Sequence, residues 1–357
     1  MTEPNGYRIE AVDPAIAPDA DVREAALLQQ LLVHERIAED PLSPVEVFMD
    51  RFRAKVTSEW HAVFIARDAH GRIAGRAFVG RELDDPENAH IRWCEVGVHP
   101  AHRRRGVGRA LLGRIVDACV DQGQDLVFMG QTTDRIPAGE AFARAIGGAP
   151  GLDMRSNQLD LAAVDRAKVT EWATIDPKGY RLARIDAAVP AELMAPYIEA
   201  VGGMNDAPRG ALRMGNWRVT EAQVHDRESW FRQAGIEWWL LLAIHDASGA
   251  GAGFTEVSHD PRVAHLVHQQ GTAVIEAHRG HRLGLWMKAA MLRRILAERP
   301  AARYVRTGNA NTNAQMLAIN TQLGFVHAWS TVLWQLAIAD ARRTLPLARM
   351  AETAQAG

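Results

Sequence analysis

The chain has 357 residues, 47% hydrophobic and 24% charged, with 41 Lys and Arg against 43 Asp and Glu for a formal net charge of −2. That length leaves room for roughly two domains at ~100–200 residues each, and that charge gives no global attraction to nucleic acid or an anionic membrane. Two cysteines exclude a disulfide framework, the polar N-terminus has no apolar signal region, and the longest strongly apolar run, Trp238–Ile244, falls far short of the ~20 residues of a membrane helix, so a cytoplasmic protein is expected.

In chain order, a strand is expected from Tyr7, then a helix over 21–36, where Val22, Ala26, Leu27, Leu31 and Leu32 recur at three-and-four spacing. A second helix is expected over 44–55, with Ser43 as N-cap and Pro44 at its first position. Strands 61–67 and 73–79 flank the turn 68–72, and a polar loop at 83–88 leads to a strand over 90–99. A helix from about 107, a strand at 125–131, a helix over 139–146 stopped by Gly147-Gly148, and a strand at 154–161 complete a first unit. The segment 163–179, with Asp176-Pro177, reads as a linker. The order then repeats: strand 180–185, helix 190–201, a Gly/Met/Asn-rich loop 202–215, helix 221–234, strands 237–245, 251–259 and 265–275, a helix to about 298, strand 303–307, helix 313–323 and strand 327–336. A short helix and a tail follow Ala337. The loop between helices 190–201 and 221–234 either lines an acceptor site or covers the core.

Two local repeats support a duplication. Ala101-His-Arg-Arg-Arg-Gly-Val-Gly108 returns 176 residues later as Ala277-His-Arg-Gly-His-Arg-Leu-Gly284, and Tyr7-Arg-Ile-Glu-Ala-Val-Asp13 returns 173 residues later as Tyr180-Arg-Leu-Ala-Arg-Ile-Asp186. Each basic Gly-containing turn sits between a strand and a helix start, where free backbone N–H groups and the helix dipole favour a phosphate. The run Arg103–Arg105 has no interleaved aromatics, so phosphates of a small ligand account for it better than nucleic acid does. The 14 histidines show no metal-ligand spacing, so no metal is expected.

The string V-x-P-x-x-R-x-x-G-x-G on Val98, Pro100, Arg103, Gly106 and Gly108 resembles motif A of the GNAT (Gcn5-related) N-acetyltransferases, and helix 313–323 with Gly324-Phe325 resembles that family's later N-x-x-A-x-x-x-Y-x-x-x-G-F motif. The resemblance implies an α/β (α+β) fold of two tandem GNAT domains, each a mixed, splayed β-sheet flanked by helices. The expected bounds are 1–165, a linker 166–178, 179–340 and a tail 341–357. It implies acetyl-CoA as cosubstrate, held by Val98, Arg103, Arg104, Arg105, Gly106, Val107, Gly108 and Arg109 in the first domain. In the second the counterparts are Val274, Arg279, Gly280, His281, Arg282, Leu283, Gly284 and Asn313.

Departures from the pattern are visible: Ile136 and Ala143 stand at the Asn and Tyr positions of the first domain, Arg282 replaces a glycine, and Asn320 takes the Tyr position of the second. Glu95 and Glu256 are the candidate bases, with His99, His265 and His268 as further proton acceptors. The expected activity is acetyl transfer to an amine of a small molecule by direct attack, in a monomer or homodimer that binds neither nucleic acid nor membrane. Asn313 and Gly324-Phe325 favour the second domain as the catalytic one; the cleaner motif A favours the first. A non-catalytic acyl-CoA sensor and an aminoacyl-tRNA-dependent transferase are the alternatives.

Overall fold

The computed structural model describes residues 6–123 and 125–345; residues 1–5, Gln124 and the tail beyond 345 lie outside the described residues. The first half runs β1 (Arg8–Val12), α1 (Asp19–Arg36), α2 (Val45–Arg53), β2 (Glu59–Arg67), β3 (Ile73–Glu82), β4 (Ile91–Val98), α3 (Val107–Cys119), β5 (Val127–Thr133), α4 (Pro137–Ala145) and β6 (Ala149–Asp160). After α5 (Arg166–Ala173) the same order returns as β7 (Tyr180–Asp186), α6 (Ala191–Gly202), α7 (Glu221–Gln233), β8 (Glu237–His245), β9 (Gly251–His259), β10 (Leu266–Val274), α8 (Leu283–Glu298), β11 (Tyr304–Ala310), α9 (Ala314–Leu323) and β12 (Val326–Ala337). The last element among the described residues is α10 (Ile338–Thr344).

All twelve strands join one mixed sheet in the order β1-β2-β3-β4-β5-β12-β6-β11-β10-β9-β8-β7. The last strands of the two halves are exchanged. β12 lies against β5 of the first half, β6 lies against β11 of the second, and the two pair antiparallel with each other at the centre. Among the described residues the only parallel pairs are β4–β5 and β10–β11, and each is short. β4 follows β5 only from Ile91 to Trp93, and β10 follows β11 only from Leu266 to His268, so the sheet opens into a V at the corresponding place in each half.

Helix α3 buries Leu111, Leu112, Ile115 and Val116 against β1–β5, and α8 buries Leu285, Ala289, Leu292 and Ile295 in the second half. Each of the leucines, isoleucines and the valine contributes ~1.5–3 kcal/mol of transfer free energy. Two local expectations shift. Pro44, not Ser43, occupies the N-cap of α2, and no side chain caps it. The segment read as a linker contains α5, capped by Asp165 accepting from the N–H of Lys168, with Val169 and Ala173 in the second core. No helix among the described residues is long and apolar enough to cross a membrane.

Candidate active site

The two basic turns adopt one backbone shape. Arg104 and Gly106 have φ of 63° and 85°, and their counterparts Gly280 and Arg282 have 85° and 60°. Each turn therefore holds one glycine and one arginine in the left-handed region, in opposite order. Arg282 is accommodated, at a backbone cost of ~1–2 kcal/mol that glycine would not incur. Gly106 and Arg282 are the N-caps of α3 and α8, and neither helix has a side-chain cap. The first-turn N–H groups, from Val107–Arg109 and Leu283–Leu285, have no intrahelical acceptor by the geometry of a helix. An anion such as a pyrophosphate fits both places.

The side chains around the turns divide into holders and exposed groups. Arg103 donates to the carbonyl of Val98 at 3.1 Å and forks onto Glu35 at 2.6 and 2.5 Å. Arg279 repeats this with the carbonyl of Val274 at 3.3 Å and the carboxylate of Asp206. Both therefore brace the turn. Arg109 donates to the carbonyls of Thr344 and Ala145. Arg104, Arg105, His281 and Arg282 are exposed at the turn surface, whereas Val107 and Leu283 are buried as the first helical residues. The repeats seen in the sequence meet in space: Tyr7 bonds His102 at 3.0 Å, and Tyr180 bonds His278 at 3.0 Å. Gly108 and Gly284 serve close packing. A Cβ would lie 3.3 Å from the Phe142 ring at Gly108 and 3.1 Å from Ile319 at Gly284. Asn313 turns its side chain inward to cap α9, accepting from the N–H of Met316 at 3.2 Å.

The halves differ where the sheet opens. β4 pairs with β3 without interruption from Trp93 to Val98. β10 slips register against β9 between Gln269 and Thr272, so Gln270 and Gly271 together face Glu256. Such a bulge removes backbone groups from the ladder and re-aims them. Gln269 stabilises it: its Nε2 donates to the carbonyl of Glu256 at 2.7 Å and lies 3.2 Å from Thr255 Oγ1. Gly271 is required, since a Cβ there would stand 2.9 Å from the Phe254 ring and 3.1 Å from Glu256 Oε1. The first half has Cys94 at the position of Gln269, and burial pushes its thiol well above the usual range, which leaves it unsuited to act as a thiolate nucleophile.

Glu256 lies under the bulge, buried, and four donors are aimed at its carboxylate. Arg227 pairs with Oε2, the Trp238 indole donates to it at 2.9 Å and the Tyr197 hydroxyl at 3.4 Å, while the Gly271 N–H donates to Oε1 at 3.3 Å. Glu95 is half exposed and pairs with Arg76 at 2.7 Å. His99 accepts from the N–H of Ala101 at 3.2 Å.

A cavity of about 320 Å³ opens at the V of the second half, and both halves build it: Arg36, Asp40 and Arg51 from α1, α2 and their connection face His265, His268 and Arg306. Asp40 takes a two-pronged pair from Arg306 and stands 3.6 Å from His265. Burial, reinforced by Arg51, Arg306 and Arg36, pushes the His268 imidazole down to about 4, so it is neutral at pH 7. In the first half a loop covers the paired stretch of β4 and β5 beside the V. The loop after α6 lays Leu212 and Met214 on Ile91, Val127 and Met129. It is fastened by Gly215 N–H to Asn88 at 2.8 Å and by the Arg213 carbonyl to His90 at 2.9 Å. The Gly/Met/Asn-rich loop thus covers the other half. Sequence reasoning missed Arg36, Arg51, Arg306, Gln269 and this cover, because each acts across the junction or in a strand pairing.

A mixed sheet opened at a parallel pair, with an uncapped basic turn after the opened strand, defines an acyl-CoA-type N-acyltransferase fold, here in tandem. The chain belongs to the GNAT acetyltransferase family. The Acetyltransferase (GNAT) family model matches residues 27–147. The chain is 30% identical over 262 residues to the mycothiol acetyltransferase of Clavibacter sepedonicus, covering 71% of this chain and 72% of that one. With the mycothiol acetyltransferase of Salinispora tropica it is 27% identical over 350 residues, 94% and 99% of the two chains. The match to the Clavibacter michiganensis relative of the same name spans 56% of that protein. A tandem GNAT protein from the clavulanic acid biosynthesis pathway superposes with a TM-score of 0.75 at 24% identity, over 93% of this chain and 98% of that one.

Proposed function

We propose that the chain transfers the acetyl group of acetyl-CoA to the amine of a small molecule in the second half, and that the first half serves as scaffold. One observation carries this: among the described residues the second V combines a bulged strand with an open cavity, whereas β4 is unbulged and Leu212 and Met214 cover the paired stretch of β4 and β5 beside the first V. The residues that would hold the cosubstrate are the backbone N–H groups from Gly280 to Gly284 and the edge of β10 near Val274. Bound there, acetyl-CoA supplies the activated acyl group.

The chain's own residues then do three things. The bulge held by Gln269 takes Gln270 out of the regular ladder with β9, and its backbone N–H is the donor offered to charge developing on a carbonyl oxygen. The neutral ring of His268 offers the incoming amine a hydrogen-bond acceptor at the cavity wall; with a pKa of about 4 it does not keep the proton, which passes to solvent water. Glu256 is a positioning residue that anchors the bulge through the Gly271 N–H. No ionisable side chain stands at the usual tyrosine position, because Asn320 is buried and donates to Asn309 at 2.8 Å, so water protonates the leaving thiolate.

The test is release of free CoA thiol from acetyl-CoA by the whole chain, against a panel of small amines that includes the amine precursor of mycothiol, which the names of the relatives bring into consideration. Amine-dependent release supports transfer. Binding of acetyl-CoA without release on any amine would replace this proposal with the sensor reading.

A further inference from the structure

We propose that the acceptor amine carries a carboxylate or phosphate, and that Arg36 and Arg51 hold this anion in the cavity between the halves; this rests on the second half being the transfer site. The cavity lining carries three arginines, Arg36, Arg51 and Arg306, against two carboxylates, Asp40 and Asp260. Both carboxylates are committed elsewhere. Asp40 is forked by Arg306, with one contact at 2.6 Å. Asp260 is forked by Arg262 at 2.9 and 3.0 Å.

Arg51 is left with a single contact to Asp260 at 3.4 Å, and its Nε is buried without an acceptor among the described residues. Arg36 forms no ion pair among the described residues; the acid that acts on it is Glu95, which is itself paired with Arg76 at 2.7 Å. His268 adds no cation at neutral pH. Two guanidinium groups thus line one small cavity with little counter-charge of their own. Arg36 is exposed and the Arg51 side chain is 34% exposed, so both guanidinium groups are open to a ligand at the cavity, and two like charges with so little counter-charge beside them favour an anion there. The planar fork of arginine suits a carboxylate or phosphate, and about 320 Å³ suits a small molecule.

The experiment compares matched acceptors on the full chain. Amino acids and aminoalkyl phosphates are set against the same amines with a carboxamide or hydroxyl in place of the anion, and CoA thiol release is read. The anionic member is expected to have a kcat/KM at least ~10-fold higher, and the preference for carboxylate over phosphate identifies the anion. In Arg36→Gln and Arg51→Gln, KM for the anionic member rises ~10-fold or more and the preference collapses towards one. Thermal midpoints of these variants hold steady or rise, because a poorly compensated cation has been removed; a purely structural arginine would lower them. Equal or better turnover of the neutral members, or a preference that survives both substitutions, overturns the proposal. If no amine in either set is acetylated, the transfer reading fails on its own. The anion site is then judged by calorimetric titration with glutarate and inorganic phosphate, where binding lost in Arg36→Gln sustains it and no binding to the wild type ends it.

Discussion

Lys288 offers a quantitative test of the second core. It lies on α8, 3% exposed, where the first half has Leu112 in its core, and its ammonium sits 5.3 Å from the centre of the Phe325 ring. Burial lowers its pKa from 10.5 to about 7. Above pH 10.5 the group is neutral folded and unfolded, and no penalty exists. Between 10.5 and about 7 the unfolded chain holds a proton that the folded chain lacks, so stability falls as pH falls through this window. Below about 7 the full penalty is present, with a ceiling of ~5 kcal/mol at ~1.4 kcal/mol per pH unit. Attraction to the Phe325 face offsets ~1–2 kcal/mol of it. Lys288→Met, similar in volume and uncharged, is therefore expected to be roughly 2–4 kcal/mol more stable than wild type at pH 6, with the gap shrinking towards zero near pH 10. Guanidinium unfolding of both proteins at pH 6, 8 and 10 measures the difference, and other titrating groups cancel in it. A gap independent of pH, or a variant less stable at pH 6, would refute the linkage.

Gly271→Ala places a methyl against the Phe254 ring, itself 1% exposed, and should cost ~1–3 kcal/mol in urea unfolding and at least ~10-fold in kcat. Gly280→Ala, with open space around it, should cost only ~1 kcal/mol of backbone strain. Gly284→Glu puts a bulky anion at the start of α8 and should abolish amine-dependent CoA release, while Gly108→Glu reduces it far less; equal losses would assign catalysis to both halves. Glu256→Gln leaves Arg227 without its carboxylate and should lower stability by ~2–4 kcal/mol while the shape of the pH–rate profile is retained. Disappearance of a limb of that profile would instead make Glu256 the base.

Features local in sequence were legible. The helices over 19–36 and 283–298, the basic turns and the repeated Tyr–His partners follow from periodicity and self-similarity along the chain. Helix α5 was hidden by its short length and the nearby Asp176-Pro177, although Val169, Trp172 and Ala173 already stood at helical spacing. The bulge in β10 depends on which residue of β9 faces which of β10, a relation between strands that neither strand encodes alone. Nothing along helices α1 and α2 singles out Arg36 or Arg51; only the docking of the two halves brings them to a cavity.

The exchange of β6 and β12 has a consequence for synthesis on the ribosome. The last strand of the first half, Ala149–Asp160, emerges more than a hundred residues before its partner Tyr304–Ala310, and β5 must wait longer still for Val326–Ala337. Until then β5 and β6 present unpaired strand edges, the kind of surface that invites pairing with another nascent chain. The halves cannot mature one after the other like beads on a string. Cutting the gene between them would leave two fragments, each lacking the strand that closes its sheet, and co-expression of residues 1–165 with 166–357 should restore a heterodimer where neither fragment alone stays soluble.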